Sequence, residues 1–183
     1  ILESYNIAYD MIKIIPTGVA IPEIYEEDLR AQLDLPKDKT ILLYLGRLAE
    51  EKNIEEVIEF YENIDDEDVY LTIVGGGPYL DKLKSFASDF KKEINFVGMV
   101  DPSEVNKYYQ AADIFVTSST SETQGLTYYE ALSNGTIVLA RDDMSLDGVV
   151  KDGFNGYRYR CFGEFNISLN KILADDGLKK KLE

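Results

Sequence analysis

No histidine and no tryptophan occur among the 183 residues, and cysteine occurs once. Without histidine the chain lacks the commonest transition-metal ligand and the commonest general base at neutral pH. Any such base in a complete enzyme must come from outside this segment. A single cysteine, Cys161, forms no internal disulfide, so the fold does not rely on oxidising conditions. Its aromatic neighbours mark it as a core residue rather than a nucleophile. Long apolar runs are missing too. None approaches the ~20 residues of a membrane-spanning helix, and no basic, apolar and small-residue series of a signal peptide opens the chain. Positive charge is scarce: 19 basic residues stand against 34 acidic ones, a formal net charge of −15. A field of that sign repels nucleic acid and anionic lipid surfaces. Much of it lies in solvated runs at 23–28 and 65–68, so the few cations placed elsewhere are informative about anionic ligands.

What is present is ordinary soluble-protein material, 45% hydrophobic and 29% charged. Largely apolar runs at 13–16, 40–45, 69–74, 94–97, 113–117 and 136–140 alternate with amphipathic stretches near 53–64, 78–90, 102–112, 125–134 and 145–151. Asn53 with Glu56, and Asp101 followed by Pro102 and Glu104, read as helix starts, and Asn134-Gly135 as a helix stop. Strands alternating with helices predict parallel β-α-β units in an α/β, doubly wound, Rossmann-like sheet covered on both faces. The pattern describes one domain over 1–183. Residues 1–12 resemble a helix leading in from another domain, the chain starts without Met, and 179–183 stops inside a charged helical pattern. These ends lead us to expect a domain cut from a longer protein.

In doubly wound sheets ligands bind beyond the carboxyl ends of the strands, and the unusual residues gather there: Gly46-Arg47, Gly75-Gly76-Gly77-Pro78, Gly98, Ser118 to Gly125, and Arg141-Asp142-Asp143. The segment Ser121-Glu122-Thr123-Gln124-Gly125-Leu126-Thr127-Tyr128-Tyr129-Glu130 sets two carboxylates eight residues apart, one before a helix and one inside it. At ~1.5 Å per helical residue they stand roughly 8–12 Å apart, a span that suits a sugar at one end and a ribose at the other. The amides of Gly125 and Leu126 would meet phosphate oxygens at the helix N-terminus. An acidic cap plus a solvated glutamate would give the same spacing. In Gly46-Arg47-Leu48-Ala49-Glu50-Glu51-Lys52-Asn53, two cations share one strand-to-helix loop and can clamp a diphosphate and neutralise its developing charge; pairing with Glu50 and Glu51 is the plain alternative. Two lookalikes are set aside. Asp66-Glu67-Asp68 lies in an acidic turn on the wrong rim for a metal-nucleotide site. Gly75-Gly76-Gly77 lacks the third spaced glycine of a dinucleotide fingerprint, Leu80 standing there instead. The thirteen tyrosines are scattered and read as packing.

In this order and on this frame, the two segments resemble the C-terminal domain of the GT-B glycosyltransferases of family 4. The likeness extends to Ile15-Pro16-Thr17-Gly18-Val19, Val74-Gly75-Gly76-Gly77-Pro78 and Phe96-Val97-Gly98. It implies that Arg47 and Lys52, beside Gly46, hold the donor diphosphate. It assigns Glu122 to the sugar hydroxyls, with the loop Thr123-Gln124-Gly125-Leu126-Thr127 at sugar and phosphate. Glu130 would bind the ribose, backbone near Val97-Gly98-Met99 would read the base, and Gly75-Gly76 would leave room for the nucleoside. The resemblance further implies a retaining hexosyl transfer from a nucleoside-diphosphate sugar such as UDP-glucose to an acceptor hydroxyl. The leaving diphosphate would take the acceptor's proton, with no metal and no cofactor besides the donor substrate. The acceptor would be held mainly by an N-terminal domain outside this chain. Location would be cytoplasmic, with the full-length protein at the inner membrane face if its acceptor is a lipid. The form Glu122-Thr123-Gln124-Gly125-Leu126-Thr127 with Asp142-Asp143 looks most like bacterial enzymes that glucosylate diacylglycerol. Departures are Asn53 where glycine usually follows the lysine, Thr136-Ile137-Val138 in place of Pro-Val-Ile, and Asp142-Asp143 in place of glycines. A sugar-nucleotide epimerase on the same fold and a noncatalytic sugar-nucleotide-binding module stay open as alternatives.

Overall fold

Aliphatic runs supply the strands. In a computed structural model, residues 17–175 and Gly177 are described. The strands are β1 (Thr40–Leu45), β2 (Val69–Val74), β3 (Ile94–Gly98), β4 (Ile114–Thr117), β5 (Ile137–Arg141) and β6 (Gly156–Tyr159). Between and around them lie α1 (Leu29–Gln32), α2 (Ile54–Glu62), α3 (Leu80–Ala87), α4 (Val105–Ala111), α5 (Leu126–Ser133) and α6 (Phe162–Leu173). All pairings are parallel, in the order β3-β2-β1-β4-β5-β6.

Alternate residues of each strand face opposite layers. Leu42 and Tyr44 of β1 pack with Ile54, Val57, Ile58 and Tyr61 of α2, Leu83 of α3, and Phe165, Leu169 and Ile172 of α6. Leu43, between them, packs on the other face with Tyr109 of α4 and Tyr128 and Ala131 of α5. Because both faces are covered, β1 and β4 are buried nearly end to end, which is why their sequences are continuously apolar rather than alternating. Each fully buried Leu or Ile contributes about 1.5–3 kcal/mol relative to exposure. At the opposite edge from the strand ends that matter below, Asp113 ties the start of the sheet together. Its Oδ2 accepts from Arg30 Nη2 and from the Ile41 amide, both at 2.7 Å.

Four expectations change. Residues 145–151 form no α-helix; a short 3-10 turn at Met144–Leu146 is all that forms, because Gly148 takes a positive φ of 79° and the chain turns there. Asn53 stands at the N-cap of α2, as expected, but does not cap it with its side chain. It sits in the left-handed region at φ 50°, its side chain bonds no helix amide, and it ends the 3-10 turn Glu50–Lys52. Asparagine is one of the few residues that tolerate this conformation, so it can stand where glycine is usual. Cys161 is exposed rather than core, at the entry to α6. The strand β6 and the helix α6 complete the sheet beyond the elements expected from the sequence. The cap at Asp101 does form, accepting from the Ser103 amide with Pro102 in the first turn, and α5 ends at Asn134 before Gly135 at φ 77°. The strand expected at 13–16 and the terminal helical patterns lie outside the described residues.

Candidate functional site

Because every strand runs the same way, all their carboxyl ends open on one edge, and the strand order reverses between β1 and β4. That is the switch point at which open α/β sheets leave a crevice. The loop after β1 and the loop after β4 meet there. Lys52 Nζ donates to Glu122 Oε1 at 2.6 Å, with the two side chains only 19% and 20% exposed. Beside this pair, Ser121 Oγ donates to the carbonyl of Glu51 at 3.2 Å. In the first turn of α2, Glu56 bonds Arg141 at the end of β5; the other carboxylate oxygen of Glu56 is buried and has no hydrogen-bond partner among the described residues. The start of α2 is thus fastened to both neighbouring strand ends.

Arg47 is turned along its own loop and bonds Glu51, with both side chains largely in water. Its carbonyl accepts from the buried hydroxyl of Tyr44 at 3.2 Å. Burial, and secondarily the Glu122 carboxylate, push the Tyr44 phenol well above its usual range, so it stays a neutral donor beneath the loop. Both predicted cations are therefore in the crevice, and each already faces a carboxylate.

Three strand-end loops are joined through their backbones. Gly46 N donates to the Val74 carbonyl at 3.0 Å, Leu48 N to Gly76 at 2.9 Å, and Gly75 N to Gly98 at 2.8 Å. Gly75 is required by this approach: its φ is +136°, and a Cβ there would lie 1.9 Å from the Gly46 carbonyl oxygen. A largely apolar cavity of about 440 Å3 opens between these loops, lined among others by Gly46, Arg47, Gly75, Gly76, Met99 and Val105. The Met99 thioether fills the space over Gly76. Val97 and Gly98 belong to β3 and do not line the cavity. A larger cavity of about 610 Å3, at Arg30, Gln110 and Asn134, lies on the opposite edge and holds none of the predicted site residues.

On the far side of the crevice, Gly125 enters α5 at φ 59° with the Tyr128 ring packed against it. Among the described residues no side chain caps this helix start, and no acidic residue stands in its first turn. Thr123 and Gln124 are exposed, and Leu126 and Thr127 half-buried. Glu130 lies one turn on and accepts from Tyr109 Oη at 3.1 Å. Burial raises the Tyr109 phenol well above its ordinary pKa, and Glu130 adds to the rise. Tyr44 and Tyr109, taken from the sequence as packing, thus also brace site residues. Their signal was positional: Tyr44 stands two residues before Gly46, and Tyr109 on the helix leading into β4. Among the described residues no group of three or more His, Cys, Asp or Glu is placed to hold a metal ion, and no helix is long and apolar enough to cross a membrane.

The family model for glycosyl transferases group 1 matches residues 26–183. Alpha-monoglucosyldiacylglycerol synthase of Streptococcus pneumoniae is 37% identical over 180 residues, covering 92% of this chain and 40% of that protein. The chain therefore spans well under half of this relative. Among solved structures, WaaG, a glycosyltransferase involved in lipopolysaccharide biosynthesis, superposes with a TM-score of 0.82 at 17% identity, over 98% of this chain and 52% of that one. The C-terminal domain of LpcC, a glycosyl transferase group 1 family protein of Francisella tularensis, superposes with a TM-score of 0.75 at 24% identity, over 90% of this chain and 92% of that one. At these identities the two structures speak to the fold, which is that of the GT-B glycosyltransferases.

Proposed function

Since the chain belongs to the glycosyl transferases group 1 family, we propose that its crevice binds a nucleoside-diphosphate hexose, UDP-glucose or a similar donor, for transfer to an acceptor hydroxyl with retention at the anomeric carbon. The observation that carries this reading is the Lys52–Glu122 contact at 2.6 Å. It brings a cation for the diphosphate and a carboxylate for sugar hydroxyls to the switch point of the sheet, beside an uncapped helix start. The nucleoside occupies the apolar cavity between Gly46, Gly75 and Met99, and Glu130, held by Tyr109, accepts from the ribose. Phosphate oxygens meet the first amides of α5, where partial positive charge favours them.

Catalysis on this reading is positioning plus relief of the charge that develops on the departing diphosphate, supplied by Arg47, Lys52 and α5. Glu122 orients the sugar, and the leaving diphosphate takes the acceptor's proton. The two cations and the helix end do the work for which a metal would otherwise be needed, and no further cofactor enters. Likeness to a diacylglycerol glucosyltransferase relative supports a lipid hydroxyl as acceptor, held mainly by a domain outside this chain, in a cytoplasmic enzyme at the inner membrane face.

Calorimetric titration with UDP-, GDP- and ADP-glucose tests the binding half of the proposal. Weak binding of one nucleotide sugar is expected, lost in Lys52→Ala. No binding of any of the three would overturn it. In the full-length enzyme, product NMR separates transfer from epimerisation: a donor epimer formed without acceptor would favour the epimerase.

A further inference from the structure

The two cations of the proposed diphosphate site are each matched by an anion. Arg47 bonds Glu51, and Lys52 bonds Glu122 at 2.6 Å. These four side chains sum to no net charge, on a chain whose formal total is −15. A nucleotide sugar must therefore be received by a balanced cluster rather than by bare positive charge. The pairs differ in setting. Glu51 is about half exposed and pairs with Arg47, which lines the apolar cavity. Its carboxyl is held below the ordinary range by its own backbone amide, then by Arg47 and Lys52, so it feels both cations. Glu122 is four-fifths buried, close to the start of α5, where water and salt screen it less.

Resting on the reading of Arg47 and Lys52 as the diphosphate clamp, we infer that Glu51 and Glu122 are built-in counter-anions with separate effects on ligand choice. Glu51 lowers affinity for every nucleoside diphosphate alike. Glu122 makes the site select the sugar-bearing donor over the spent diphosphate. The physical difference lies in what each carboxylate meets. A sugar presents hydroxyl donors to Glu122 and replaces the contact that Lys52 gives up. A freed diphosphate presents no donor there, and its terminal oxygen carries roughly one further negative charge near neutral pH. A buried carboxylate facing that charge is a repulsive element, and specificity commonly rests on such an element as well as on the attractive one. Glu51, paired with Arg47 and largely in water, acts on the diphosphate charge that both ligands share. Substrate is retained and product is expelled by the same side chain.

The test is calorimetry on the 183-residue chain with UDP, GDP and ADP and their glucose conjugates, for the parent, Glu51→Gln, Glu122→Gln and Glu122→Asp, with thermal melts to establish folding. Glu51→Gln is expected to tighten diphosphate and nucleotide sugar equally, by about two- to fivefold, the range of an exposed ion pair. Glu122→Gln is expected to tighten the free diphosphate and weaken the nucleotide sugar, moving their affinity ratio by at least about tenfold. Glu122→Asp keeps the charge but shortens the reach, so it weakens the sugar conjugate and leaves the diphosphate near the parent value. Parent binding that Glu51→Gln leaves unchanged, or that Glu122→Gln weakens for both ligands alike, overturns this inference and leaves the clamp standing. Absence of binding to any nucleotide in all four proteins overturns the clamp as well.

Discussion

Gly75 offers the sharpest mechanical test of how the site is held. Replacing it by alanine asks for a Cβ 1.9 Å from the Gly46 carbonyl oxygen, where ordinary contact begins near 3.4 Å. That neighbour is backbone, and it is itself pinned, since the Gly46 amide bonds Val74 and the Gly75 amide bonds Gly98. The left-handed φ of +136° adds strain of about 1–2 kcal/mol for a residue with a side chain. Opening the two loops sacrifices one or two hydrogen bonds at about 1 kcal/mol each, and residual overlap costs about 1 kcal/mol more. The sum is about 3–5 kcal/mol, a large part of the ~5–15 kcal/mol that stabilises a typical domain. Gly98→Ala is the control. Its φ is +87°, yet no atom of the described residues lies within 4 Å of the added one, so it should lose only the strain, about 1–2 kcal/mol. In urea, with a slope of about 2 kcal/mol per molar, the midpoint of Gly75→Ala should fall by about 2 M and that of Gly98→Ala by under about 1 M. Equal shifts in the two variants would refute the backbone-contact account of the glycine loop.

Other expectations follow from named contacts. Arg47→Ala in the full-length enzyme should cut turnover by about tenfold to thousandfold, as loss of a transition-state donor does; steady-state kinetics with unchanged turnover would remove Arg47 from the mechanism. Asp113→Ala takes from the Ile41 amide its carboxylate acceptor and from Arg30 its ion-pair partner, leaving Arg30 its bonds to the carbonyls of Lys37, Lys39 and Ala111, and should cost about 1–3 kcal/mol in a urea melt. Asp101 has its pKa lowered below 3.8 by the Ser103 hydroxyl and amide. A depressed folded value means that its contribution is complete above the unfolded pKa and is lost as pH falls through the folded one. The melting-temperature gap between the parent and Asp101→Asn should therefore be steady from pH 7 to 5 and close below pH 3.8.

Much of the frame could be read from local pattern. The runs at 40–45 and 69–74 are β1 and β2 to the residue, because strands covered on both faces are continuously apolar and bounded by loop residues. The strand β6 escaped notice: it is four residues long at the edge of the sheet, with Arg158 inside it, and becomes a strand by pairing with β5. Helix α6 did carry a signal in Phe165, Leu169 and Ile172, spaced to bury one face. Cys161 misled because aromatic neighbours in sequence need not surround a residue in space; it lies where the chain leaves β6 and its side chain meets solvent.

Sequence alone determined which residue types each loop would carry, since glycine, arginine, lysine and glutamate are local choices at strand ends and helix starts. It could not say what those side chains would face. Lys52 and Glu122 are 70 residues apart. They meet only because the strand order sets β1 beside β4, and pairing across a sheet is a non-local decision made by the packing of the whole core. Arg47, by contrast, meets Glu51 four residues on in its own loop, a local pairing that the sequence already offered, so only the Lys52–Glu122 half of the balanced cluster was decided by the packing.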